Sequence, residues 1–267
     1  GNLHDSDKLI LRDILARHIE RRNVMAYISS PILESYFAQI GLGGEVLDIG
    51  EFVNTDYLAV VNANIAGQKT DIFRDQGMVL ESRIDEMGFV NNKLTISREH
   101  TGGEKKEWWY DAANKNYMQV YTAVGSSAVS ASGQSSWPKP IVRDYSNYSF
   151  DADVARIENT KTFLSTLSLD SFLAHGRQVF AAWFNVGVGA RGVFNLGYQN
   201  TNQIHLKDGE LFTFVFERQS GVPTSLDYRV TAPEGYIWAE SSSNVFNYES
   251  DDPPGRLFLE LTLTQEN

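Results

Sequence analysis

Trp108, Trp109 and Tyr110 are consecutive, with Tyr117 and Tyr121 close behind. Tryptophan and tyrosine combine a flat apolar face with a polar tip, so they can stack on a sugar ring and hydrogen-bond to its hydroxyls. The competing reading places them in the core and edge of a sheet. If 108 and 109 are successive strand residues, the alternation of faces turns one of them outward. A second constellation is Asn62, Asn64, Lys69 and Asp71, arranged around Gly67 where an apolar run ends. These four could form a small polar site at a strand end. They could equally be turn chemistry, with Asn side chains satisfying local backbone groups, Gly67 supplying φ > 0, and Lys69 and Asp71 an exposed pair. Trp108, Trp109, Tyr110, Asn62, Asn64, Lys69 and Asp71 are therefore the candidate binding residues.

No catalytic constellation accompanies them. The five histidines (His4, His18, His100, His175, His205) have neither HxH nor HExxH spacing, so no metal site is expected. A GxSxG elbow is absent. The acid pairs Asp151/Asp153 and Asp251/Asp252 lie beside turn residues, where solvated carboxylates are ordinary, and they lack calcium-loop spacing. GVGARG (187–192) has no GK[ST] ending and no helix pattern after it, so it reads as a turn between strands. No cofactor is expected, and the reading leans away from an enzyme.

The chain of 267 residues carries a net charge of −11, which disfavours a nucleic-acid or anionic-membrane partner. It has no cysteine, which removes disulfides and thiolate chemistry without fixing a compartment. No apolar run reaches the roughly 18–20 residues of a membrane span. Gly1 opening directly on a helical pattern reads as the start of a fragment.

The elements that must position these residues begin with two helices. Residues 6–22 place Leu9, Ile10, Ile14, Leu15 and Ile19 at helical spacing, and Pro31 opens a second helix that Gly41 stops. The pair predicts a helical hairpin packed on the sheet that follows. From Tyr57 the period is two, with strands expected over 56–64, 77–86, 91–100, 115–123 and 140–145, and a mobile Ser/Ala/Gly loop over 124–138. A second series covers 156–166, 177–186, 190–198, 203–206, 210–218, 225–231, 235–240 and 255–264, with turns at KDGE, APEG and DPPG. In the last strand Leu257, Leu259, Leu261 and Leu263 should face the core. The fold class is α+β and β-rich: residues 1–155 as a helical hairpin on a mainly antiparallel β-domain, and 156–267 as an Ig-like β-sandwich.

The order of these pieces resembles the C-terminal half of the bacterial family catalogued as domain of unknown function 4012. RRNVMAYISSPILESYFAQIGLGGEV (21–46) is similar to its helix, strand-like stretch, helix and Gly-rich element, although Leu42 stands where an aromatic is common. The resemblance continues through DYLAVVNANIAGQKTDIF (56–73), NNKLTISREHTG (91–102), NKNYMQVYTAVGSSAVSASG (114–133) and GRQVFAAWFNVGVGARGVFNLGYQ (176–199). It runs on through LKDGELFTFVFERQSG (206–221) and the PEG turn (233–235). The resemblance implies a bacterial, extracytoplasmic region anchored by an N-terminal transmembrane helix outside this sequence, and a link to envelope polysaccharides. It supplies no catalytic residues. The expected role is binding or scaffolding at the cell surface, with a glycan or a surface protein as partner. The alternative is a carbohydrate-binding or carbohydrate-active module.

Overall fold

Alternating polar and apolar residues build fourteen strands in this computed structural model, which describes residues 4–47, 54–65, 67–103, 108–136, 144 and 146–266. Helices α1 (Asp5–Glu20) and α2 (Pro31–Gln39) come first. They are followed by β1 (Thr55–Asn64), a 3-10 turn (Thr70–Phe73), β2 (Arg74–Ile84), β3 (Val90–His100), β4 (Asn116–Thr122) and β5 (Ser127–Ser132). After α3 (Ala152–Thr160) come β6 (Thr162–Leu164), β7 (Leu169–Ala174), β8 (Arg177–Trp183), β9 (Arg191–Gln199) and β10 (Leu211–Glu217). The chain closes with β11 (Thr224–Thr231), β12 (Tyr236–Trp238), β13 (Val245–Ser250) and β14 (Arg256–Gln265). The protein is α+β and β-rich.

Two sheets face each other across one core. The larger has the order β12-β14-β10-β1-β4-β8-β7-β6, the smaller β13-β11-β2-β3-β9-β5. Most pairs are antiparallel, but β1 runs parallel to β10, and β2 parallel to β11. Strands β1, β4, β2 and β3 therefore sit inside sheets whose flanks come mostly from later in the chain. The boundary expected at 155/156 falls inside α3, and strands from both sides of it share both sheets and the same buried cluster. Strands after residue 155 do not close a sandwich among themselves. Across the core, Phe214 of β10 stacks on Tyr228 of β11, with ring centroids 3.9 Å apart.

The inward faces of the central strands share one pattern. Asp56, Leu58, Val60 and Asn62 point inward on β1; Arg74, Gln76, Met78, Leu80 and Ser82 on β2; Asn92, Leu94, Ile96, Arg98 and His100 on β3; Asn116, Met118, Val120 and Thr122 on β4. Each has two apolar residues flanked by polar ones, and on β2 and β3 buried Ile84 and Val90 follow beyond the polar Ser82 and Asn92. Between β2 and β3 the register sets Met78 and Leu80 opposite Ile96 and Leu94, with polar pairs on either side, whereas between β1 and β4 the pattern is offset, Leu58 lying opposite Thr122 and Asn62 opposite Met118. The interior is thus an apolar slab with polar side chains toward its ends, most of them hydrogen-bonded, while Arg74 and Arg98 keep N–H groups that no protein atom accepts.

At one end Asp56 has no exposed surface and accepts from Tyr57 N at 2.7 Å, Asn200 Nδ2 at 2.7 Å and Asn92 Nδ2 at 3.0 Å. Burial nevertheless raises its pKa above the ordinary aspartate value, and those hydrogen bonds offset only part of the desolvation. The opposite end holds the candidate site.

The helices form as expected but do not pack as expected. Neither α1 nor α2 contains a buried residue, and Leu9, Ile10, Leu11, Ile14 and Leu15 are exposed. The sandwich closes its own core, and what reaches it is the chain around the helices. Arg22 donates to Glu217 at 2.6 Å, Gly255 N donates to Glu20 O, and Arg21 pairs with Asp252.

Other expectations also shift. The first part of 156–166 is helix α3, because Asp151 caps its N-terminus by accepting from the Asp153 and Val154 amides. Residues 203–206 form no strand, although Ile204 is buried. The Ser/Ala/Gly loop contains edge strand β5, paired to β9 around a bulge, and strands β7 and β13 escaped the pattern. The strand expected at 140–145 lies, except for residue 144, outside the described residues. In β14, Leu261 and Leu263 are buried, with Leu257 and Leu259 packed against the same core.

Candidate functional site

The hinge after β1 folds around Asn64, whose Oδ1 accepts from Gly67 N at 2.9 Å and whose Nδ2 donates to Gln68 O at 3.0 Å. Gly67 is required by close approach: a Cβ there would lie 2.2 Å from Asn64 Oδ1 and 2.6 Å from Lys115 N. The positive φ belongs to its neighbour Gln68, at 58°. Thr70 Oγ1 donates to Gly67 O at 2.7 Å and starts the 3-10 turn.

That turn presents Asp71, which pairs with Arg74 at 3.0 Å rather than with Lys69. Asp71 also accepts from Asn114 Nδ2 at 3.0 Å. Asn62 donates to Gln76 and Gln219 and accepts from Asn116 Nδ2, so it bridges the two sheets inside the sandwich. Lys69 is exposed, and its backbone N–H donates to Trp109 O at 3.0 Å. This last bond fastens the hinge to the aromatic segment.

Trp108, Trp109 and Tyr110 lie in a turn between β3 and β4, so strand alternation does not decide their directions. Their rings form an edge-to-face ladder: Trp108 on Trp109 at 5.6 Å, Trp109 on Tyr110 at 5.9 Å, and Tyr110 on Phe73 at 5.0 Å. Trp109 and Tyr110 are half-buried, while Trp108 at the outer rung is 66% exposed. The structure therefore brings all seven candidate residues to one end of the sandwich, but in different roles. Trp108 and Lys69 face solvent, Asn64 and Asp71 build the turn, and Asn62 is interior.

A second concavity lies on the outer face of the larger sheet, under the chain that follows α1. It measures about 310 Å³ and is floored by Tyr57, Ala59, Val61 and Tyr121, with Met25, Gln219 and His175 around it. That volume is at the lower bound of small-molecule pockets. Glu217 anchors its roof, accepting from Tyr57 Oη at 2.6 Å, Arg22 Nη1 at 2.6 Å and Arg256 Nη2 at 2.6 Å. Burial pushes the Glu217 pKa up, but the Tyr57 and Arg256 hydrogen bonds and the Arg256 and Arg22 charges outweigh it, so the pKa lies below the ordinary glutamate value. Burial and Glu217 together raise the Tyr57 phenol far above its usual range. Above this wall Arg177 covers the Tyr57 ring, its guanidinium carbon 4.4 Å from the centroid. The cleft's ionic groups are already paired, so it favours uncharged contacts.

The acid pairs have structural roles: Asp151 is a helix cap, and Asp252 pairs with Arg218 at 2.7 Å. GVGARG is a turn between β8 and β9. Among the described residues no group of His, Cys, Asp and Glu could hold a metal, and no helix is long and apolar enough to cross a membrane.

No protein-family model and no curated protein matches the chain. Among solved structures it is similar to a candidate nutrient-binding protein from Legionella pneumophila, at 8% identity and a TM-score of 0.39. That similarity covers 79% of this chain and 70% of the other, and it is too remote to carry a functional argument.

Sequence reading missed the cleft, whose lining comes from six separate stretches of chain that meet only once β10 pairs with β1. It also missed the polar ends of the interior. Their signal was present in the polar-x-apolar-x-apolar-x-polar strands, with arginine at inward positions 74 and 98.

Proposed function

We propose that this chain is a binding module of the bacterial cell envelope, the extracytoplasmic part of a membrane-anchored protein, and that its ligand is a glycan. The observation that carries the binding is Trp108, which presents most of its surface while Trp109, Tyr110 and Phe73 back it edge-on. A supported, exposed indole is preorganised to stack on a sugar ring, because little side-chain freedom is lost on contact. The envelope location rests on the family resemblance.

The test is an array of bacterial envelope glycans, followed by calorimetric titration of the strongest hit. Trp108→Ala should weaken binding at least tenfold, about 1.4 kcal/mol, whereas Tyr121→Ala in the outer cleft should bind like the wild type. Equal affinity of the Trp108→Ala variant would remove this reading.

A further inference from the structure

Among the described residues, the interior layer beneath the aromatic end carries more positive charge than its neighbours balance. Arg74 and Arg98 both point inward from the smaller sheet. Because Arg74 lies opposite His100 and Gln76 opposite Arg98, the two arginines are diagonal neighbours on one face. Arg98 has no exposed surface. Its Nη2 donates to Asn114 Oδ1 at 3.1 Å, while Nε and Nη1 have no protein acceptor. Arg74 is nearly as buried, with Nη1 paired to Asp71 and Nε unaccepted. Asn114 joins the two groups, since its Nδ2 also donates to Asp71.

His100 adds no charge here. Its Nδ1 accepts from Gly102 N at 3.1 Å, which leaves the proton on Nε2, 3.0 Å from Ala112 O. The described carboxylate in this layer is Asp71 alone. Two guanidinium ions, one carboxylate and one neutral imidazole leave one positive charge, with unused N–H donors on both arginines. An uncompensated buried charge is strongly unfavourable. Guanidinium N–H groups in a water-poor interior are strong anion donors.

We propose that this layer is a binding site for one small monovalent inorganic anion, held by the unaccepted N–H of Arg98 Nη1 with Arg74 beside it. The burial of Arg98 restricts the site to a small ion. The proposal is independent of the glycan reading, which concerns the outer rung of the aromatic ladder.

Bromide is the direct probe, because crystals of the wild-type protein soaked in sodium bromide reveal the ion by its anomalous scattering. A peak within hydrogen-bonding reach of Arg98 Nη1 is expected. Peaks confined to surface lysines, or a water at Arg98, would overturn the proposal. In solution, replacing gluconate by chloride at constant ionic strength should raise the melting temperature by a few degrees, because the ion binds only the folded state. Arg98→Met should abolish that difference. A chloride response identical in wild type and variant would also overturn it.

Discussion

Two buried carboxylates give opposite answers to pH. Glu217 has a folded pKa below its ordinary value of 4.5, so the folded state binds its proton less readily than the unfolded chain. Its stabilisation is complete above about pH 4.5 and is lost as pH falls through the folded pKa. Asp56 is raised from 3.8, so it weakens the fold progressively as pH climbs from 3.8 to its folded pKa. Denaturant melts across pH 3–8 should separate them. Glu217→Gln strands Arg22 and Arg256 and is expected to cost about 3 kcal/mol at pH 7, with the loss shrinking in acid. For Asp56→Asn, stability relative to wild type should increase with pH above 3.8, whatever the constant offset from rearranged hydrogen bonds. A relative stability that is flat or declining with pH would show that burial does not dominate at Asp56. The candidate site was partly legible at this scale. Trp108 and the Asn64–Asp71 turn stood out by residue type, but Asp71 chose Arg74 over Lys69, because the 3-10 turn aims its carboxylate at β2.

At the level of elements, strand existence was readable wherever polar and apolar residues alternate over seven or more positions. β5 was hidden because SAVSAS is short and built of small residues, its one larger apolar side chain, Val129, being exposed, and α3 because its identity rests on the Asp151 cap more than on an apolar stripe. The helix pair was legible as helices, yet its docking was not, since periodicity reports a face without reporting a partner. Because α1 buries no residue, removing residues 1–18 should shift the melting temperature by less than about 2 °C. A larger drop would assign α1 a packing role. The β2–β3 turn behaves differently. Gly88 has φ 84°, and a Cβ there would lie 2.3 Å from Ile204 O. Gly88→Ala should therefore cost more than about 1 kcal/mol in chemical denaturation.

For the whole molecule, strand order was the part no local pattern could carry. Paired residues of β1 and β10 lie 158 positions apart (Thr55 with Thr213), and those of β2 and β11 lie 148 apart (Gln76 with Thr224). The sheet centres cannot close without strands from either side of residue 155. Fragments 1–155 and 156–267 should each fail to give a cooperative melt alone and should recover one when refolded together. The same interleaving places the aromatic ladder, the hinge and the two arginines at one end of the sandwich. The most direct test of the binding account is a heteronuclear NMR titration with the envelope glycan selected on the array, read on the tryptophan indole N–H signals. Trp238 is fully buried and donates to Val230 O, so it serves as an internal reference. The Trp108 indole and the amides of residues 67–71 should shift with ligand while Trp238 stays in place. Shifts confined to the Tyr57–Tyr121 cleft, with Trp108 unmoved, would contradict it.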